Sequence, residues 1–380
     1  MRQMISEGEL QTRQGERPDG GGAIQLDQVD YVEFYVGNAQ QAALFYYLTF
    51  GMPAVAYAGL ETGTRDRISY VVQQRDIRLV MTSALQPESP IAEHVKTHGD
   101  SVKDIAIRVK DAAATFHEAV ARGARPVLEP TVLEDERGRV VKASIQTFGD
   151  TVHSFIERGD YDPQAFLPLY RPNPQRQEPA DNALVAIDHV AVGVEAGQLD
   201  RWVEFYQDVL GFHQSHKEDV ATEQSAMNSK VVQNDTGSIK FPIVEPASGI
   251  RKSQIDEYLA FHRGAGAQHI ALLTEDIVTT VKALRDKGIQ FLHTPDTYYE
   301  TLAERVGELS LDASLVRDLN ILVDRDAWGQ LLQIFTKPLH GRPTVFMEII
   351  ERKGARGFGG GNIKALFDAI EREQARRANL

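Results

Sequence analysis

Cysteine is absent from this sequence. That excludes disulfides, thiolate metal sites and cysteine nucleophiles, leaves any metal to His, Asp and Glu, and makes a cytoplasmic location the expectation. Basic charge is in short supply: 41 Lys and Arg stand against 54 Asp and Glu, a formal charge of −13. With no long basic run to offset that repulsion, no nucleic-acid or anionic-membrane partner is expected, and a small organic molecule is favoured. No apolar run reaches membrane-spanning length. Residues 1–23 are polar and glycine-rich, lack the apolar core of a signal peptide, and are expected to form a disordered tail.

What the chain has is length and a repeat. Its 380 residues, 42% hydrophobic and 25% charged, suffice for two domains with separate cores. Residues 29–36 alternate as a strand and 39–48 follow with helical periodicity closed by Gly51; a strand at 187–194 and a helix at 199–210 closed by Gly211 repeat the pattern. Aligned on itself, the chain places Val29-Asp30-Tyr31-Val32 over Ile187-Asp188-His189-Val190. A second unit recurs too: Asp104-Ile105-Ala106-Ile107 and His269-Ile270-Ala271-Leu272 each lead into a helix capped by Asp111 or Asp276 and ended at Gly123 or Gly288. Both halves close on a strand ending in Glu-Arg, at 157–158 and 351–352.

The expected division is a first domain at 24–158, an extended proline-punctuated linker at 159–183 and a second domain at 184–380. An insertion at about 295–329, found only in the second half, is expected to cover one side of a site. The glycine run 357–361 and an amphipathic helix at 363–377 have the form of a hinge and lid.

Glu348 lies in residues 344–352, where apolar and β-branched neighbours on both sides read as a strand buried on both faces. A lone ionised carboxylate there is costly to desolvate, so Glu348 needs a partner. His189 and His269 sit in similar runs, at 186–192 and 267–273. Two imidazoles and one carboxylate on three strands match the facial triad of a non-haem Fe(II) oxygenase, with positions left open for substrate and O2. The repeat supplies an internal control: the trio falls opposite Tyr31, Asp104 and Ser154, so the fold does not demand it.

Other clusters read as bland. His213 and His216 follow Gly211 in an expected turn and are expected to be solvated, and His94 and His98, four apart in a polar helix-like segment, are expected on the surface. The glycine run lacks the Gly-Lys-Ser/Thr ending of a phosphate loop.

Four runs are distinctive: Lys252-Ser253-Gln254-Ile255, Gly264-Ala265-Gly266-Ala267-Gln268-His269, Leu331-Leu332-Gln333-Ile334-Phe335-Thr336-Lys337-Pro338 and Arg342-Pro343-Thr344-Val345-Phe346-Met347-Glu348. With them the chain, from about Val29 onward, resembles the 4-hydroxyphenylpyruvate dioxygenases and the related 4-hydroxymandelate synthases. The resemblance implies an α+β vicinal oxygen chelate fold: two domains, each of paired βαβββ modules in a half-open barrel, and a C-terminal lid helix. It implies Fe(II) on His189, His269 and Glu348, O2 as co-substrate, an aromatic 2-keto acid as partner, and a homodimer or homotetramer. It also implies that Ser229, Gln254, Gln268, Gln333 and Asn362 bind the substrate, and that Phe335, Phe346 and Phe358 wall it.

Two departures bear on the product. The dioxygenase pattern has Asn where Val244 stands in Phe241-Pro242-Ile243-Val244-Glu245-Pro246, and Phe where Ile363 follows Gly361-Asn362. Aliphatic residues at both places resemble the mandelate-forming branch: Val244 cannot donate a hydrogen bond, and Ile363 cannot stack on a ring. The expectation is therefore 4-hydroxymandelate, by benzylic hydroxylation, ahead of homogentisate, by ring attack and side-chain migration. An extradiol ring-cleaving dioxygenase and a non-catalytic binding protein are the remoter alternatives.

Overall fold

The computed structural model describes residues 24–380 apart from 176–177, 181, 222–224 and 379–380, so the expected disordered tail lies outside the described residues. The first half runs β1 (Leu26–Tyr35), α1 (Ala39–Phe50), β2 (Ala54–Ala58), β3 (Arg67–Gln74), β4 (Ile77–Ala84), α2 (Pro90–His98), β5 (Ser101–Val109), α3 (Ala112–Ala121), β6 (Pro126–Asp135), β7 (Gly138–Gln146) and β8 (Val152–Glu157). After a short β9 (Arg171–Pro172), the second half opens with β10 (Leu184–Gly193), α4 (Leu199–Leu210), β11 (His213–Ala221), β12 (Ala226–Gln233), β13 (Lys240–Ala247), α5 (Gln254–His262) and β14 (Gly266–Thr274). It continues with α6 (Ile277–Asp286), α7 (Asp296–Glu300), α8 (Leu302–Val306), α9 (Ala313–Asp318), β15 (Leu322–Arg325), β16 (Gln330–Phe335), β17 (Phe346–Lys353) and α10 (Gly360–Ala378).

The strands form two sheets, ordered β6-β7-β8-β5-β1-β4-β3-β2-β9 and β11-β12-β13-β10-β14-β17-β16-β15. Read backwards, the second order matches the first strand for strand, with β9 added at one edge. The registers agree as well. Tyr31 faces Ala106 and Glu33 faces Asp104 between β1 and β5, as His189 faces Ala271 and Ala191 faces His269 between β10 and β14. The duplication read from the sequence is thus a duplication of hydrogen-bonded ladders.

Local chemistry explains the repeated helices. Asp111 accepts from the Ala114 amide and Asp276 from the Thr279 amide, and Gly123 and Gly288, just past the ends, take φ of +106° and +89° that a Cβ would strain. The repeated Glu-Arg ending serves each half twice. Glu157 and Glu351 accept the first amides of α3 and α6, at 3.0 Å each, while Arg158 and Arg352 clamp Asp30 and Asp188. One core cluster draws on both halves, and fully buried side chains such as Phe34, Phe155 and Phe241 contribute roughly 2 to 3 kcal/mol each.

Five expectations change. Residues 159–183 are not simply an extended linker: Tyr161, Phe166 and Leu167 are buried against Tyr31, Val71 and Val80, and β9 pairs with β2. This segment plugs the face of the first sheet that carries Tyr31, whereas α10 covers the corresponding His189 face of the second. The insertion proper is α7 to α9, because β15 is the counterpart of β6, and α10 begins at Gly360, three residues before the expected start. His213 and His216 are both exposed, as expected, but lie on β11, paired with Gln233 and Val231, because the chain leaves the Gly211 cap straight into a strand; the His216 ring is 5.6 Å from Phe358. His94 and His98 are buried, 8% and 3% exposed, because His94 packs on Tyr35 and Ser101 of its own half and His98 docks on the second half, where its Nδ1 lies 2.6 Å from the His262 carbonyl oxygen.

Candidate metal centre and cavity

β10, β14 and β17 are neighbours in the second sheet, which places the three candidate ligands side by side. Ala271 lies across from His189 on one side and from Glu348 on the other, and His269 is two residues along β14 on the same face. The small Ala271 side chain leaves space between the flanking groups. His189 Nε2 is 3.2 Å from Glu348 Oε2, His269 Nε2 is 3.4 Å from it, and all three residues are buried.

Each imidazole is oriented by the residue before it. His189 Nδ1 lies 2.9 Å from Asp188 Oδ1 and His269 Nδ1 lies 3.2 Å from Gln268 Oε1. Both partners are acceptors, so Nδ1 carries the proton and Nε2 presents its lone pair to the centre. A bulge in the β10–β14 register falls between Ile187 and His189, where Asp188 stands. Burial acts to raise the Glu348 carboxyl, yet the two imidazoles hold it down to about 2, so it is an anion at neutral pH. Burial lowers His269, while the Glu348 and Asp188 carboxylates outweigh burial and raise His189. Two nitrogen lone pairs converging on a buried anion fit a divalent metal of the two-histidine, one-carboxylate kind.

Behind the trio lies a second layer. Gln333 Nε2 donates to Glu348 Oε1 at 2.7 Å, Asn362 Nδ2 donates to Gln333 Oε1 at 2.8 Å, and the Tyr298 hydroxyl donates to Asn362 Oδ1 at 2.7 Å. Arg352 donates twice to Asp188 and once, at 2.7 Å, to the Gly357 carbonyl in the loop before α10. Burial alone would raise the Asp188 carboxyl, but Arg352 and His189 hold it well below the usual range.

A cavity of about 50 Å³ is lined by the trio and by Ser229, Val244, Gln254, Gln268, Gln333, Phe335, Phe358 and Ile363. Two expected lining residues are elsewhere. Phe346 stacks behind the His269 ring, centroids 4.9 Å apart, and Asn362 is fully buried with its amide spent on Gln333 and Tyr298. Sequence reasoning missed Asp188, Arg352 and Tyr298. The first two had a signal, since Asp30 and Arg158 occupy their positions in the other half and pair in the same way.

The first half shows what fills such a centre without a metal. Lys142, the counterpart of Gln333, donates to the Tyr31 hydroxyl at 2.7 Å and to Asp104 Oδ2 at 3.2 Å, and Ser154 Oγ donates to the same oxygen at 2.6 Å. An ammonium group takes the place of the cation.

Comparisons with known proteins agree with this architecture. Residues 22–167 match the family described as hydroxyphenylpyruvate dioxygenase, N-terminal, and residues 186–333 match the glyoxalase/bleomycin resistance protein/dioxygenase superfamily. The 4-hydroxyphenylpyruvate dioxygenase of Neurospora crassa is 46% identical over 92% of either chain. The chain belongs to the 4-hydroxyphenylpyruvate dioxygenase family.

The relative from Dictyostelium discoideum bearing the same name is 44% identical over 93% of this chain and 100% of its own. Among solved structures, a triple mutant of 4-hydroxymandelate synthase from Streptomyces coelicolor has a TM-score of 0.83 at 36% identity, covering 92% of this chain and 99% of that one. The fold is the expected α+β vicinal oxygen chelate fold, and the family's enzymes are Fe(II)-dependent dioxygenases of 2-keto acids. The curated relatives' names weigh toward the homogentisate side of the family, against the mandelate expectation. Among the described residues, no helix is long and apolar enough to cross a membrane.

Proposed function

We propose that the protein is a non-haem Fe(II) dioxygenase that oxidatively decarboxylates and hydroxylates 4-hydroxyphenylpyruvate. The observation that carries this reading is the buried pair of Nε2 lone pairs facing the Glu348 carboxylate at one wall of a small cavity. His189, His269 and Glu348 would hold the iron, which when bound supplies Lewis acidity toward the keto acid and electrons for O2. The keto acid loses CO2, one oxygen atom of O2 enters the new carboxylate, and the other enters the aromatic product.

The chain's own groups orient and enclose. Gln254 Oε1 is buried without a hydrogen-bond partner among the described residues, an acceptor suited to the substrate's phenolic hydroxyl. Ser229 and Gln268 offer further polar contacts, and Phe335 and Phe358 flank the ring. A cavity of about 50 Å³ is well below the roughly 300 Å³ of small ligand pockets. Ile363 and Leu366 of α10 therefore withdraw for entry and then return to exclude water. Two domains at 24–158 and 184–380, cytoplasmic location and a homodimer or homotetramer belong to the same proposal; light scattering checks the last.

Similarity along more than nine-tenths of the chain, 92% and 93%, to proteins named 4-hydroxyphenylpyruvate dioxygenase supports homogentisate as the product. A second reading, 4-hydroxymandelate, is favoured by Val244 and Ile363, which line the cavity and pack with Met227 and Phe367 into one apolar patch. A relative barrier of about 1.4 kcal/mol shifts product partitioning tenfold, so two side chains can decide. The test is incubation of the Fe(II)-loaded enzyme with 4-hydroxyphenylpyruvate, O2 and ascorbate, followed by separation of the aromatic products. Homogentisate supports the first reading and hydroxymandelate the second; neither, with metal bound, overturns the substrate.

A further inference from the structure

A second group of two histidines and a carboxylate sits at the seam between the halves and shares no residue with the first. His94 and His98 stand one turn apart on α2, and Asp150, in the turn between β7 and β8, reaches the same place. One ligand atom from each of the three lies within 4.8 Å of the others. The two rings are 4.5 Å apart, and His98 Nε2 is 2.9 Å from Asp150 Oδ2, a spacing like those of the imidazoles around Glu348.

Proton bookkeeping leaves this cluster short of a cation. His98 Nδ1 lies 2.6 Å from the His262 carbonyl oxygen, which only accepts, so Nδ1 carries the proton. Neutral His98 then turns a bare Nε2 lone pair toward a carboxylate. Ser101 Oγ donates to the Gly99 carbonyl and so accepts from His94 Nε2 at 3.0 Å, which leaves the other nitrogen of His94 unprotonated as well. The bare His98 Nε2 and the Asp150 carboxylate are then two acceptors in contact with no hydrogen between them, and His94 offers a ring nitrogen within 4.8 Å of both. One proton on His98 satisfies a single pair, whereas a divalent ion satisfies all three.

We propose that His94, His98 and Asp150 form a second divalent-cation site. Its donors, two imidazole nitrogens and a carboxylate oxygen, suit a borderline first-row ion such as Zn(II), Co(II) or Ni(II). Asp150 is exposed, its side chain 66% accessible, so water completes the coordination shell and the ion enters from solvent. Lys103, the neighbouring cation, bonds the Asp150 backbone oxygen rather than its carboxylate.

The position gives the ion a structural task. The His262 ring stacks on His98 at 4.5 Å, and Arg342 donates to the carbonyls of Lys96, Thr97 and Phe261, so the end of α2 is fastened to the end of α5. α5 starts at Gln254, in the wall of the catalytic cavity. A cation on α2 thus staples the seam one helix away from the substrate site.

Zinc stoichiometry of the full chain, by equilibrium dialysis at neutral pH and atomic emission, tests the proposal. The wild type should bind two equivalents, Asp150→Asn one, Glu348→Gln one, and the double variant none. Asp150→Asn alters an exposed side chain and should keep its circular dichroism and Fe(II)-dependent turnover. Co(II) spectra should show two sets of visible bands, of which Asp150→Asn loses one. A single equivalent in the wild type, two retained in Asp150→Asn, or both lost in it, would overturn the second site; two retained in Glu348→Gln would instead count against the catalytic metal centre.

Discussion

Arg352 grips Asp188 with two hydrogen bonds, at 2.7 and 2.8 Å, and the carboxylate so held faces His189 Nδ1. The first half has the same ion pair in Arg158 and Asp30, but there the next residue is Tyr31. An ion pair that the fold uses twice has been put to use in the second half to orient a metal-facing imidazole. Asp188→Asn should weaken metal binding about 10- to 100-fold, the usual cost of losing such a support, as read by chelator competition. Unaltered affinity would assign Asp188 to the fold alone.

Asn362 should act through Gln333. Asn362→Ala leaves Gln333 Oε1 buried without its donor, a loss of about 1 to 3 kcal/mol, while the Tyr298 hydroxyl keeps the Val323 carbonyl as an acceptor. Turnover is expected to fall about tenfold or more while metal content stays at the wild-type level. Wild-type turnover would show that the Glu348 contact suffices to place Gln333.

The aliphatic pair should tune the product. Ile363→Phe, alone and with Val244→Asn, is expected to raise the ratio of homogentisate to hydroxymandelate, by about tenfold for each 1.4 kcal/mol of relative barrier. Mass-resolved product ratios check this. A ratio that does not move assigns both side chains to packing.

Acid should loosen the contact between the halves at His153. This ring is fully buried, donates from Nδ1 to the Ile105 carbonyl at 2.9 Å, and meets the Tyr206 hydroxyl of the second half at 2.8 Å. Burial pushes its pKa from 6.5 down to about 4. The unfolded chain therefore takes up this proton near pH 6.5 and the folded chain only near 4, so stability is full above 6.5 and declines as pH falls between those values. Urea unfolding at several pH values should show that decline in the wild type and a shallower one in His153→Gln; equal slopes would place the acid sensitivity elsewhere.

Much of this was legible in one dimension because its causes are local or periodic. Alternating apolar residues, the Asp111 and Asp276 caps and the left-handed glycines act within a few positions, so they mark the strands and helices where they stand. A carboxylate amid apolar strand residues states its own need for a partner, and the internal repeat singled out the two histidines that answer it. Tertiary structure alone decided what depends on which distant surfaces meet. The Asp188–Arg352 pair joins residues 164 positions apart, Asn362 turned inward because α10 closes against Tyr298, and Phe166 became core because the Tyr31 face of the first sheet is covered by the segment after β8, not by a helix. His94 and His98 read as surface residues because polar helix faces usually meet water; here that face meets the first sheet at His94 and the other half of the chain at His98, and burial brings two ordinary histidines together with Asp150.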